Sequence, residues 1–138
     1  MARVRGDRGA SAVELTIVAP AVLLLIFSTI QFALWSYGRN VALQSAREGV
    51  SRLRTVPADS DVDSARRAVE ADVESYARQV GRESLLDPDA EATYDERGEG
   101  RVRVVVRGRV VTLVPGLSFN VTGVATGEIE RFEPDEEL

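Results

Sequence analysis

The sequence predicts an α+β fold: a long membrane-spanning helix that extends into a second helix packed on a small antiparallel sheet. Three observations predict it. Residues 15–38 form a run of 24 without a charge, continued to Arg54 without a proline. Residues 61–80 repeat apolar side chains at helical spacing, and from Arg101 onward valine and arginine alternate at period two.

The first helix follows from length and apolarity. At about 1.5 Å per residue the uncharged run spans roughly 36 Å, against a hydrocarbon core of about 30 Å. Twelve of residues 15–34 are Leu, Ile, Val or Phe, favouring insertion by about 4 to 7 kcal/mol. Pro20 stands in the second turn of the run, and Trp35 and Tyr37 mark the far interface. A secretory signal would have a shorter apolar region ending in a small-residue cleavage site; here the exit reads Phe32-Ala33-Leu34-Trp35. Arg3, Arg5 and Arg8 before the run place the N-terminus in the cytoplasm and the remainder outside. Past the interface, Ala42, Ala46, Gly49 and Leu53 share one helical face. That small face suits either the protein's own domain or a neighbouring chain. Pro57 ends the helix.

The second helix is expected over residues 61–80, with Ser60 as N-cap and Gly81 as C-cap. Its stripe is Val62, Ala65, Val69, Val73, Tyr76 and Val80. Three strands follow. Residues 91–95 form a short one, and a turn through Gly98 and Gly100 leads to residues 101–114. There Val102, Val104 and Val106 take one face, Arg103 and Arg107 the other with Val105 between them, and Gly108 marks a bulge or phase shift. A turn at residues 115–117 returns the chain along residues 118–132. The sheet needs a cover, and the two helices supply it. The division is a basic cytoplasmic leader, 1–9; the membrane helix with its extension, 10–55; and a small extracytoplasmic domain, 56–138.

Composition removes several function classes. The 138 residues contain no histidine and no cysteine, so histidine- and thiol-based catalysis and the commonest metal ligands are missing. Nothing nominates a catalytic, cofactor or metal site, which points away from an enzyme. Net charge is -5, which argues against nucleic acid. Acidic pairs such as Asp59/Asp61 and Asp87/Asp89 lack the ligand number of a calcium loop. Asn120-Val121-Thr122 matches a glycosylation acceptor but suits a strand's solvent face equally. Arg5-Gly6-Asp7 is a chance match to an adhesion tripeptide.

Glu14 stands apart, because an ionisable group at the mouth of a membrane helix calls for a partner or a headgroup. Gly9 precedes Ala10, and Glu14 is fifth counting from Ala10. This spacing, the basic leader before it and the apolar helix after it resemble the leader of type IV prepilins. "VALQSAREGVSR", residues 41–52, resembles the region that follows the membrane helix in TadE-like proteins of tight-adherence (Flp/Tad) pilus systems. The resemblance covers residues 8–54. It implies a pseudopilin or minor pilus component, cut between Gly9 and Ala10 by a prepilin peptidase. Its partners would be membrane lipid, other pilins or pseudopilins and the assembly platform. Two positions depart from the commoner pattern: Ala10 stands where many pilins have Phe, and Leu15 where an aromatic is common. The alternative is an unprocessed, single-pass anchored binding or signalling module.

Overall fold

The computed structural model describes residues 7–56, 61–94 and 100–129, with side chains from Ala12 onward. Its elements in chain order are α1 (Asp7–Arg54), α2 (Val62–Gly81), β1 (Leu85–Tyr94), β2 (Arg101–Val110) and β3 (Phe119–Glu128). The strands form one antiparallel sheet in the order β1-β2-β3. The α+β class expected from the periodicities is the one observed. The chain divides into two units, Met1–Ala33 and Leu34–Leu138.

In the first unit the described residues are helical. The apolar window of α1 has a mean hydropathy of 2.3 and is 0% buried, so it is not the core helix of a water-soluble fold; it is long and apolar enough to cross a membrane. Its two threonine hydroxyls are satisfied within the helix: Thr16 Oγ1 donates to Ala12 O and Thr29 Oγ1 to Leu25 O, each at 2.8 Å. Such internal bonds let a polar side chain sit in hydrocarbon. Pro20 lies inside the helix without ending it.

In the second unit α1 and α2 cover one face of the sheet. The inward row on β2 is Val102, Val104, Val106, Gly108 and Val110, with Leu85, Ala90 and Ala92 on β1 and Val121 and Gly123 on β3. Ala42 lies over Gly123 and Val50 over Gly127. Eight helical residues advance about 12 Å and four strand residues about 13 Å, so α1 runs along β3 in step with it. Ser45 is the buried polar side chain of this layer, and its hydroxyl donates to Val41 O at 2.9 Å.

Several boundaries differ from the sequence reading, each for a physical reason. Asp61 is the N-cap of α2, its carboxylate accepting from Asp63 N and Ser64 Oγ; Ser60 lies outside the described residues. Gly81 is the last helical residue, and Arg82 takes the left-handed turn at φ 45°. Gly81 is needed for space: a Cβ there would come within 2.9 Å of Leu85 Cβ and 3.3 Å of Val41 Cγ1. The stripe of α2 buries Val69, Val73, Ala77 and Gly81, while Val62 is exposed.

β1 begins at Leu85, six residues before the expected start at Glu91, because it absorbs Pro88 in an irregularity between Leu86 and Asp89, where Asp87 has φ 47°. An edge strand tolerates proline at such a point. Gly108 does mark a bulge, but from the opposite strand: β2 keeps its own phase through it, and the two residues Asp87 and Pro88 of β1 oppose it. The irregularity is on β1 opposite, and Gly108 is bare because Leu85 Cδ1 occupies the place of a Cβ. β2 ends at Val110, and β3 spans Phe119–Glu128. The turn at residues 115–117 is present, with Leu117 N donating to Val114 O and Gly116 at φ 85°. Gly98 and Asp95 lie outside the described residues.

Candidate functional site

Three regions carry chemistry: the start of α1, the small face of its second half, and the uncovered face and edges of the sheet. The helix includes Gly9, Ala10 and Glu14. Ala10 and Glu14 therefore stand at i and i+4, one turn apart on the same side. Glu14 is exposed, and among the described residues it has no ion-pair partner. Val13, Leu15, Ile17 and Val18 around it are exposed as well, so the carboxylate sits in an otherwise apolar collar.

The structure places Ala42, Ala46, Gly49 and Leu53 on the protein's own sheet and second helix. Ala42 and Ala46 are 0% and Leu53 1% exposed. Gly49 sits beneath Val73 and Val104, where a Cβ would come within 2.8 Å and 3.0 Å of their methyl groups. The contact is small against small: Gly123 of β3 faces the backbone of Ala42 and Leu43 directly.

The "Ala-Arg-Glu-Gly" stretch gains a physical meaning here. Ala46 and Gly49 are the buried members. Glu48 and Arg47 point outward, and Glu48 Oε1 accepts from Arg52 Nε at 2.9 Å. Arg52 Nη1 continues to Asp72 of α2 at 2.7 Å. The hydrogen bond it donates to Glu48, followed by the charges of Glu48 and Asp72, pushes the Arg52 guanidinium above its ordinary pKa. The motif thus docks the helix on one side and clasps α2 on the other. Arg52 is part-exposed, so the clasp fixes geometry more than it adds stability.

On the uncovered face of the sheet, β2 presents Arg101, Arg103, Arg107 and Arg109. Arg107 pairs with Glu91 at 2.9 Å and Asp89 at 3.9 Å, Arg109 with Asp87, and Arg101 with Glu128 at 3.7 Å. Val105, between the arginines, is 9% exposed, covered on this face beside Glu91 and Val124. A shallow depression of about 330 Å³ is lined by Asp87, Asp89, Arg107, Arg109, Asn120 and Thr122. Its charges neutralise one another, and it brings together no nucleophile with a base. Asp87 and Asp89 are thereby committed to arginines, and among the described residues no group of three or more acidic side chains is arranged for a metal ion. Asn120 and Thr122 are both exposed on β3.

The sequence reading missed how the sheet's first edge is closed. Ala92 N donates to Glu70 Oε1 at 2.9 Å and Ala90 N to Glu74 Oε1 at 3.3 Å. These are amides of the edge strand β1, and carboxylates from α2 occupy them in place of another strand. Arg66 and Arg78 hold the same two carboxylates at 3.5 Å and 2.8 Å. The only trace in the sequence is the i, i+4 spacing of Glu70 and Glu74, which also describes any solvated helix face.

The model of the TadE-like protein family matches residues 9–51. The matched segment starts at Gly9 and ends within the docked half of α1, two residues short of Leu53. No curated protein and no solved structure matches the chain.

Proposed function

We propose that this chain is a membrane-anchored pseudopilin of a Tad-type pilus assembly, cut between Gly9 and Ala10 by a prepilin peptidase. The observation that carries the reading is the TadE-like match over residues 9–51, which contains Gly9, Ala10, Glu14, the apolar helix and the Ala46–Gly49 docking motif together. In this reading Arg3, Arg5 and Arg8 hold the residues up to Gly9 in the cytoplasm, and the Leu34–Leu138 unit lies outside. Its partners are the peptidase, other pilins or pseudopilins, and an assembly platform.

Cleavage changes the charge at one position. Before it, the Ala10 nitrogen is an amide; after it, an α-ammonium with an ordinary pKa of about 8. One helical turn separates it from Glu14, so the two charges pair within the helix or with a neighbouring helix in the assembly. Such a pair attracts more strongly in a dry bundle than in water, but desolvation offsets the gain. It sets the register of packed helices, while apolar contact carries their association. Loss of the three arginines also frees the helix end from the cytoplasmic face, which eases extraction from the bilayer.

The test is N-terminal sequencing of the membrane-extracted protein, expressed with and without a prepilin peptidase. A new N-terminus at Ala10 only with the peptidase supports the reading. Met1 or Ala2 at the N-terminus under both conditions refutes processing.

A further inference from the structure

The Leu34–Leu138 unit has one end that differs from the rest of its surface. There the Tyr37 hydroxyl donates to Val80 O at 3.5 Å. A Cβ on Gly38 would meet Val110 Cγ2 at 2.7 Å and Ser84 O at 3.4 Å. The stretch of α1 just past Trp35, the end of α2, the start of β1 and the end of β2 therefore lie together. The connection from β2 to β3, residues 111–118, departs from Val110 at this same end.

That connection reads "VTLVPGLS", and no charge occurs from Val110 to Gly127. Leu113, Val114 and Leu117 are 41%, 49% and 53% exposed, and Phe119 follows at 38%. Exposed connections ordinarily carry polar turn residues, and a cluster of apolar side chains on a surface signals an interaction. The connection's backbone is partly satisfied from within. Leu117 N donates to Val114 O at 3.3 Å, and the Thr112 hydroxyl reaches Leu117 O at 2.9 Å and Val114 O at 3.2 Å. Leaving water therefore exposes fewer unpaired polar groups to desolvation.

We propose that residues 111–118 form a second membrane contact, with Leu113, Val114 and Leu117 seated at the headgroup–acyl boundary of the bilayer from which α1 emerges. The inference rests on the reading of α1 as a membrane anchor. Lipid is the occupant because the loop is continuous, through Gly38 and Val110, with the segment that carries Trp35, Tyr37 and Arg39. These are residue types that collect at the bilayer interface, and the Arg39 guanidinium lies over the Trp35 ring at 5.8 Å. Two contacts, one from α1 and one from this loop, would hold one end of the sheet at the membrane.

The chain has no cysteine, so single-site labelling needs no background removal. The full chain is reconstituted in phosphatidylcholine vesicles carrying Leu117→Cys, Thr126→Cys or Phe27→Cys, each labelled with an environment-sensitive fluorophore. Lipids brominated near the headgroup are expected to quench the Leu117 label several-fold more than the Thr126 label, and aqueous iodide the reverse. The Phe27 label, inside the apolar helix, reports the anchor by itself. Quenching at position 27 with none at 117 overturns the loop contact and leaves the anchor standing. No quenching at 27 overturns the anchor reading, and the loop inference with it. Shielding of position 117 only after other pilus proteins are added assigns the loop to a protein and overturns the proposal.

Discussion

Gly123→Ala is expected to undock the second half of α1 from the sheet. A Cβ at this position would lie 2.3 Å from Ala42 C and Leu43 N and 2.4 Å from Ala42 O. Carbon pairs rest at about 3.5 to 4.0 Å, so the shortfall is about 1.2 Å. The obstructing atoms are backbone, and no side-chain rotation relieves them; the helix must move as a body. A gap of 0.5 to 1 Å already forfeits about a quarter to a half of a contact's dispersion energy, and Ala42, Ala46, Gly49, Val50 and Leu53 all share that contact. Overpacking typically costs about 1 to 3 kcal/mol, and a backbone clash belongs at the upper end. Relief of glycine's entropic disadvantage in a strand offsets about 0.5 to 1 kcal/mol. The net expectation is a loss of about 2 to 3 kcal/mol, a large share of the roughly 5 to 15 kcal/mol that stabilises a domain of this size.

The assay is thermal unfolding of the full chain in detergent micelles, followed by Trp35 fluorescence, since Trp35 packs against the core cluster. A drop in midpoint of roughly 10 to 20 °C is expected. Gly116→Ala is the control: its φ is 85°, so a side chain is strained there, but nothing lies within 4 Å of the added Cβ. It should lose only about 1 kcal/mol. If Gly123→Ala loses no more than Gly116→Ala, α1 does not lie on β3 and the packing argument fails.

Other outcomes follow from the same contacts. Glu70→Ala strips the acceptor from Ala92 N; it should cost about 1 to 2 kcal/mol and promote self-association through the opened β1 edge, seen by sedimentation, while Glu70→Gln restores much of both. The Asp61 carboxyl is held below its ordinary 3.8 by the Ser64 hydroxyl first, and by the amides of Asp63 and Ser64. A depressed folded value means that the cap's contribution is fully present above the ordinary value and fades as pH falls through the folded one. Urea midpoints below pH 3.8 should therefore fall more steeply for the natural chain than for Asp61→Asn. Glu14→Ala should leave membrane insertion intact, by alkaline extraction, and impair incorporation into pili; normal incorporation would make Glu14 an interface residue with no part in assembly.

The fold was legible wherever one periodicity dominated. Val102, Val104 and Val106 give β2 and its inward face, and Val69 and Val73 give α2. Sequence failed where a residue's role depends on a distant neighbour. Gly81 looks like a C-cap and Gly108 like the bulged residue itself, yet both are bare because Leu85 fills the space beside them. Pro88 hid the first half of β1, since a proline is compatible with a strand only at an edge irregularity that the chain does not announce. At the candidate site, Gly9, Ala10 and Glu14 form a local pattern, and local patterns are readable from sequence. Glu70 and Glu74 as edge caps were not, because their acceptor role exists only once α2 lies beside β1.

The small face of α1 illustrates a broader dependence. Periodicity identifies Ala42, Ala46, Gly49 and Leu53 as one surface but says nothing about what covers it. Val73 and Val104, over Gly49, and Gly123, over Ala42, all fall outside residues 9–51, the segment matched to the TadE-like family. The docked end of the matched segment therefore packs on the unmatched part of the same chain. A helix with Ala at 42 and 46 and Gly at 49 approaches its neighbour so closely that the opposing strand must be glycine where backbones meet, as at Gly123. The apolar half of α1 carries no such demand: its large apolar side chains, from Val13 to Phe32, are exposed. The constraint that ties anchor to domain thus sits in the three small residues of the docked half, and a bulky residue at 42, 46 or 49 should damage the domain while leaving the membrane segment as insertable as before.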